Sequence, residues 1–140
     1  MNRNCLKFLF VLSLLSTLSI SIFSENISSA EIANRQTALR CAEVAKSFFM
    51  QEEYDLAFSQ AELGLAYDDK ISDLWYVKAM CAKNQSNPKA QVFEFAKKSF
   101  ENSDWTCFAE DLGIVLYAEV LIQTGNFEKA YEVLENRKDI

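Results

Sequence analysis

Histidine is absent from the 140 residues, which removes the commonest general base and metal ligand near neutral pH. Cysteine is sparse and unpatterned. Cys5, Cys41, Cys81 and Cys107 lie far apart with no Cys-x-x-Cys pair, so neither a zinc site nor a thiol–imidazole couple has residues to be built from. There is no glycine-rich phosphate loop and no Gly-x-Ser-x-Gly. The acidic groups at turns (Glu52, Glu53, Asp55, Asp68, Asp69) lack the alternating oxygens and glycine of a calcium loop. Catalysis therefore has little support, and no cofactor or metal is expected. One proline and three glycines, with half the residues apolar, argue against a turn-rich sheet and predict an all-α chain.

The N-terminal segment is built differently from the rest. Arg3 and Lys7 precede an uncharged run at residues 8–23, and Ser24 is small enough for cleavage before Glu25, the order of an export signal. That run carries four serines and a threonine and falls short of the ~20 apolar residues of a membrane-spanning helix. Cys5 stands before the run, so a lipid-attachment pattern is missing. The expectation is export to a periplasm or outside the cell, with an inner-membrane anchor retained at residues 8–24 as the alternative. Cleavage leaves 12 basic against 20 acidic residues, a formal −8. Such a chain repels nucleic acid and anionic membranes. Of the three cysteines then left, burial as small hydrophobes is the expected fate, although an oxidising compartment leaves one bridged pair open.

Residues 25–37 read as a polar lead-in with a capping box at Ser28 to Glu31, and 38–140 as one helical domain. The first helix is expected from Ser29 to about Met50, with Ile32, Leu39, Val44, Ala45, Phe48 and Phe49 as its apolar stripe. The second spans Tyr54 to about Tyr67 and carries Ala57, Ala61 and Gly64, a groove of small residues for a neighbouring helix. A third, capped by the end of the Asp68–Asp73 connection, runs from Leu74 to about Asn84. A fourth follows from Pro88 to about Phe100. A fifth is expected over Trp105–Thr124. Gly125 then closes it in a left-handed turn, Asn126 caps a sixth, and Phe127, Ala130 and Leu134 share a face. Six helices with short connections make three hairpins, none of which buries its apolar face alone.

On these residues the hairpins resemble tetratricopeptide repeats, helix–turn–helix units of 34 residues. Val44, Ala45, Phe48, Tyr54, Ala57, Ala61 and Gly64 carry the likeness in the first unit. Trp75, Ala79 and Ala82 carry it in the second, followed by either Val92, Ala96 and Ser99 or Ala96 and Phe100. In the third it rests on Ala118, Leu121, Gly125, Phe127, Ala130 and Leu134. The step from Ala79 to Ala118 is 39 residues, so the second unit carries extra residues around 100–106. The family's proline near the end of each unit is missing.

The resemblance implies a short right-handed α-solenoid whose first helices line a concave strip for a peptide or partner helix. The matching positions are Lys46 and Phe49, then Tyr76, Met80, Lys83 and Asn84, then Glu119, Ile122 and Gln123. It also implies a non-catalytic protein–protein interaction module with a protein partner. Such stacks finish on a capping helix. Few residues follow Leu134, so Phe127, Tyr131 and Leu134 are expected to meet a second copy or a partner. The alternative is a small-ligand or enzyme-accessory protein using space around Trp75, Met80, Trp105 and Tyr117.

Overall fold

The computed structural model describes residues 28–135. The expected export segment at 1–24 and Cys5 lie outside the described residues. Six helices follow in order: α1 Ser29–Met50, α2 Tyr54–Tyr67, α3 Ser72–Asn84, α4 Lys89–Asn102, α5 Glu110–Gln123 and α6 Phe127–Glu135. There is no strand among the described residues, and none of these helices is long and apolar enough to cross a membrane.

The capping box forms. Ser28 Oγ accepts the Glu31 N–H at 3.1 Å, and the Ser28 N–H donates to the Glu31 carboxylate at 2.7 Å. That donated N–H holds the Glu31 carboxyl below the usual glutamate range. The face that α1 buries is narrower than its bulky residues imply. Ala38, Cys41, Ala42 and Ala45 are buried, while Ile32 and Val44, expected in the stripe, are 50% and 42% exposed. Small residues on both sides explain this: Ala57, Ala61 and Gly64 of α2 are buried, and Gly64 lies against Cys41 and Leu74. Two backbones that approach over alanine and glycine leave no room for a branched side chain between them.

Each helix packs on the next, and α1 also packs on α3, a repeat-like arrangement. α3 is shared by two cores. Leu74, Val77 and Cys81 belong to the core with α1 and α2, whereas Ala79 and Ala82 belong to the core with α4, α5 and α6, which Tyr76 joins while its ring also meets Phe49 of α1. Nine of its thirteen residues are buried, among them Lys78. The Lys78 ammonium sits 4.8 Å and 4.5 Å from the ring centres of Phe58 and Phe95 and pairs with Glu62 at 3.1 Å, so its charge is not left bare. In α4 the buried set is Val92, Ala96 and Ser99, the first of the two patterns considered.

Helix ends hold three corrections. Ser72 and Asp73 lie inside the first turn of α3 and do not cap it; Ile71 is the N-cap, without a side-chain bond. Gly125 takes φ +81°, the left-handed turn that Cβ-bearing residues resist. Asn126, however, gives its side-chain amide to Thr124 Oγ1 at 2.9 Å instead of accepting an α6 N–H. α6 buries Ala130 and Val133, leaving Phe127 and Leu134 outside. The largest departure is α5, which starts at Glu110 and not at Trp105. Ser103, in the left-handed region at φ 53°, turns the chain out of α4, and residues 104–109 cross the molecule without helical structure.

Candidate functional site

That crossing segment, here called the strap, lies over the side shared by α1 and α3. Its first anchor is Asp104. The Arg35 guanidinium donates to both Asp104 oxygens at 2.8 Å and 3.0 Å and to Asp68 at 3.0 Å. These carboxylates, Asp104 foremost, raise the Arg35 pKa further. Asp104 also exchanges two bonds with Ser72: the Ser72 N–H donates to the Asp104 carbonyl at 2.8 Å, and the Asp104 N–H donates to Ser72 Oγ at 2.9 Å.

The second anchor is the Asp73 carboxylate, 1% exposed. One oxygen accepts the Thr106 N–H at 2.7 Å and its hydroxyl at 2.9 Å. The other accepts the N–H groups of Cys107 at 3.0 Å and Phe108 at 2.7 Å. Three consecutive backbone donors thus converge on one side chain, and ionised acceptors make such bonds roughly twice as strong as neutral ones. Lys46 completes the backbone recognition by donating to the Cys107 carbonyl at 2.6 Å.

Rings fix the far end. Phe108 lies 5.1 Å from Tyr76 and 6.3 Å from Phe49 between ring centres, and Trp105 meets the Tyr76 edge at 6.0 Å. The strap runs along α1 in the same direction, with Asp104 over Arg35 and Phe108 over Phe49.

The expected strip is therefore divided. Lys46, Phe49 and Tyr76 are placed under the strap, and Tyr76 is buried in the core. Beyond the strap the strip continues on the surface. Lys83 donates to both Glu119 oxygens at 2.7 Å, Gln123 donates to Glu119 at 2.9 Å, and Asn84 donates to the Met80 carbonyl at 2.8 Å. Ile122 beside them is 49% exposed. On α6, Phe127 and Tyr131 are 65% and 61% exposed and Leu134 is also exposed.

No family model matches the chain, and no similar curated protein or solved structure is found. The four residues considered for a small-ligand space are packed against other side chains. Trp75 leans on Phe95, Trp105 on Gly113 and Tyr76, Met80 on the core, and Tyr117 lies between Phe93 and Phe100. An open depression of about 430 Å³ lies elsewhere, lined by Glu52, Glu53, Tyr54, Asp55, Leu56 and Gln85. Cys107 donates to Glu43 at 3.3 Å, and burial above all pushes its pKa up to about 11. At neutral pH it stays a thiol, which is a poor nucleophile. Cys41, Cys81 and Cys107 are all free. Among the described residues no cluster of acids and thiols is placed to hold a metal ion.

Sequence reasoning missed Arg35, Ser72, Asp73 and the strap itself. A partial signal was present in the long step from Ala79 to Ala118, whose extra residues, expected around 100–106, overlap the end of α4 and the first half of the strap.

Proposed function

We propose that the chain is a non-catalytic protein-interaction module, exported from the cytoplasm, whose three hairpins stack like tetratricopeptide repeats into a short right-handed solenoid. The observation that carries this reading is the order of the strip. Phe49 of the first hairpin meets Tyr76 of the second at 6.5 Å between ring centres, and Lys83 of the second meets Glu119 of the third. Side chains from three successive hairpins therefore follow one another along one side, as an extended partner requires. Its exposed part offers an apolar anchor, Ile122, among charged and amide groups, the composition of a contact surface.

The test uses Ile122→Glu, because Tyr76 is a core residue and its removal would confound binding with unfolding. A partner drawn by the wild-type protein from an extract of the compartment to which export is proposed is purified and titrated back by calorimetry. Ile122→Glu should weaken it at least tenfold, about 1.4 kcal/mol; equal affinity for the variant rules out the strip as the contact.

The corresponding proposal for Phe127, Tyr131 and Leu134 is that a second copy or a partner packs on α6, whose apolar side chains are exposed. Light scattering of the purified protein should show self-association that Tyr131→Glu abolishes. A monomer in both cases at micromolar concentration removes the homo-oligomer.

A further inference from the structure

We infer that the face of α1 and α3 is a binding site for a sharply bent peptide segment carrying an acid and, four residues later, an aromatic ring, and that residues 104–108 occupy this site in cis. The inference rests on the interaction-module reading and names the ligand class. Helix–helix connections in bundles are commonly 2–8 residues and run over the surface without deep anchoring. This one is recognised at every level that a bound peptide is. Its acid is forked by Arg35, its main chain pairs with Ser72, three N–H groups enter Asp73, a carbonyl meets Lys46, and its ring enters the place formed by Phe49 and Tyr76. Bonds to N–H and C=O groups read any chain that can take this bend, so side-chain specificity resides at the two ends, Asp104 and Phe108.

The occupant is imperfect. The Trp105 indole N–H is buried without a hydrogen-bond partner, a cost that a competing segment with another residue there escapes. Tethering gives the strap an effective concentration in the millimolar range, so it shields the site from weak competitors and yields to a partner with the same two ends and a better middle.

The test is complementation in the full chain. Asp104→Ser, Thr106→Pro and Phe108→Pro together remove both end groups and three of the four bonds to Asp73, which frees the site while every receiving residue stays. A fluorescent peptide of residues 102–110 is titrated into this variant and into wild type by anisotropy. The emptied variant should bind it at least tenfold more tightly than wild type, gain thermal stability with it, and lose binding when the peptide carries Asp104→Ala or Phe108→Ala. If the triple variant is unfolded alone, peptide should restore its helical circular dichroism. A folded triple variant that ignores the peptide, or an unfolded one that the peptide does not rescue, overturns the inference. Binding here, with every partner indifferent to Ile122→Glu, would sink the strip on α3 and α5 and leave this site standing; the reverse pattern would do the opposite.

Discussion

Asp73→Ala should destabilise the protein by about 3–5 kcal/mol, because each of three backbone N–H groups left without an acceptor costs about 1–3 kcal/mol, less whatever water recovers. Four donors lose their acceptor at once, and three of them are consecutive main-chain groups that no side-chain rearrangement can satisfy. The damage has a ceiling. Once it exceeds the free energy of docking, the strap lifts and water takes over its N–H groups. The helices should therefore survive with Trp105 exposed. In a Trp75→Phe background the emission of the remaining tryptophan should shift to the red before denaturant is added, while far-ultraviolet circular dichroism keeps its helical form. Out of a typical total of 5–15 kcal/mol, such a loss lowers the melting temperature by roughly 10–20 °C. Asp73→Asn retains one acceptor oxygen and should lose about half as much. An Asp73→Ala variant within 1 kcal/mol of wild type would mean that the carboxylate does not hold the strap.

The same four bonds mark where sequence reading stopped. Element type and most boundaries were legible because they depend on local chemistry. Ser28 and Glu31 cap α1, Gly125 closes α5 through its left-handed φ, and the alanines and glycine of α2 report a close helix contact. The stretch from Trp105 to Ala109 has no proline or glycine, and its residues suit a helix well enough to be counted as the start of α5. What unwinds it is tertiary. A buried carboxylate on α3, 33 to 35 residues earlier in the chain, collects the N–H groups of Thr106, Cys107 and Phe108. Local propensity is a weak prior against such bonds. The strip suffered from the same cause: its positions on α1, α3 and α5 could be counted from the repeat, but nothing local says that Lys46, Phe49 and Tyr76 already have an occupant. Leu39, Phe48 and Phe49 of the α1 stripe do pack against the core, and only Ile32 and Val44 misled, for a different reason. A stripe read from size assumes a wide interface, and the alanines make this one narrow.

Gly113→Ala should destabilise the protein by about 2 kcal/mol although alanine is the better helix former by about 1 kcal/mol. A Cβ on residue 113 would stand 2.2 Å from Cζ2 and 2.6 Å from Cη2 of the Trp105 indole, well inside contact distance. The indole cannot slide away, because Asp104 is tied to Ser72 and Arg35 on one side and Thr106 to Asp73 on the other. Either α5 tilts out of the core or the ring leaves its bed, and both forfeit apolar burial. Gly64→Ala meets a milder clash: its Cβ would lie 2.8 Å from Leu74 Cδ1, the mobile end of a side chain, and 2.9 Å from the fixed Cβ of Cys41. It should cost less than Gly113→Ala. The decisive measurement is a double-mutant cycle by denaturant unfolding. With Trp105→Ala already in place the obstacle is gone, so Gly113→Ala should change sign and stabilise by up to about 1 kcal/mol, a coupling of about 3 kcal/mol. A Gly113→Ala effect that is the same in both backgrounds would show that the indole does not rest on α5, and the strap would then be held by α1 and α3 alone.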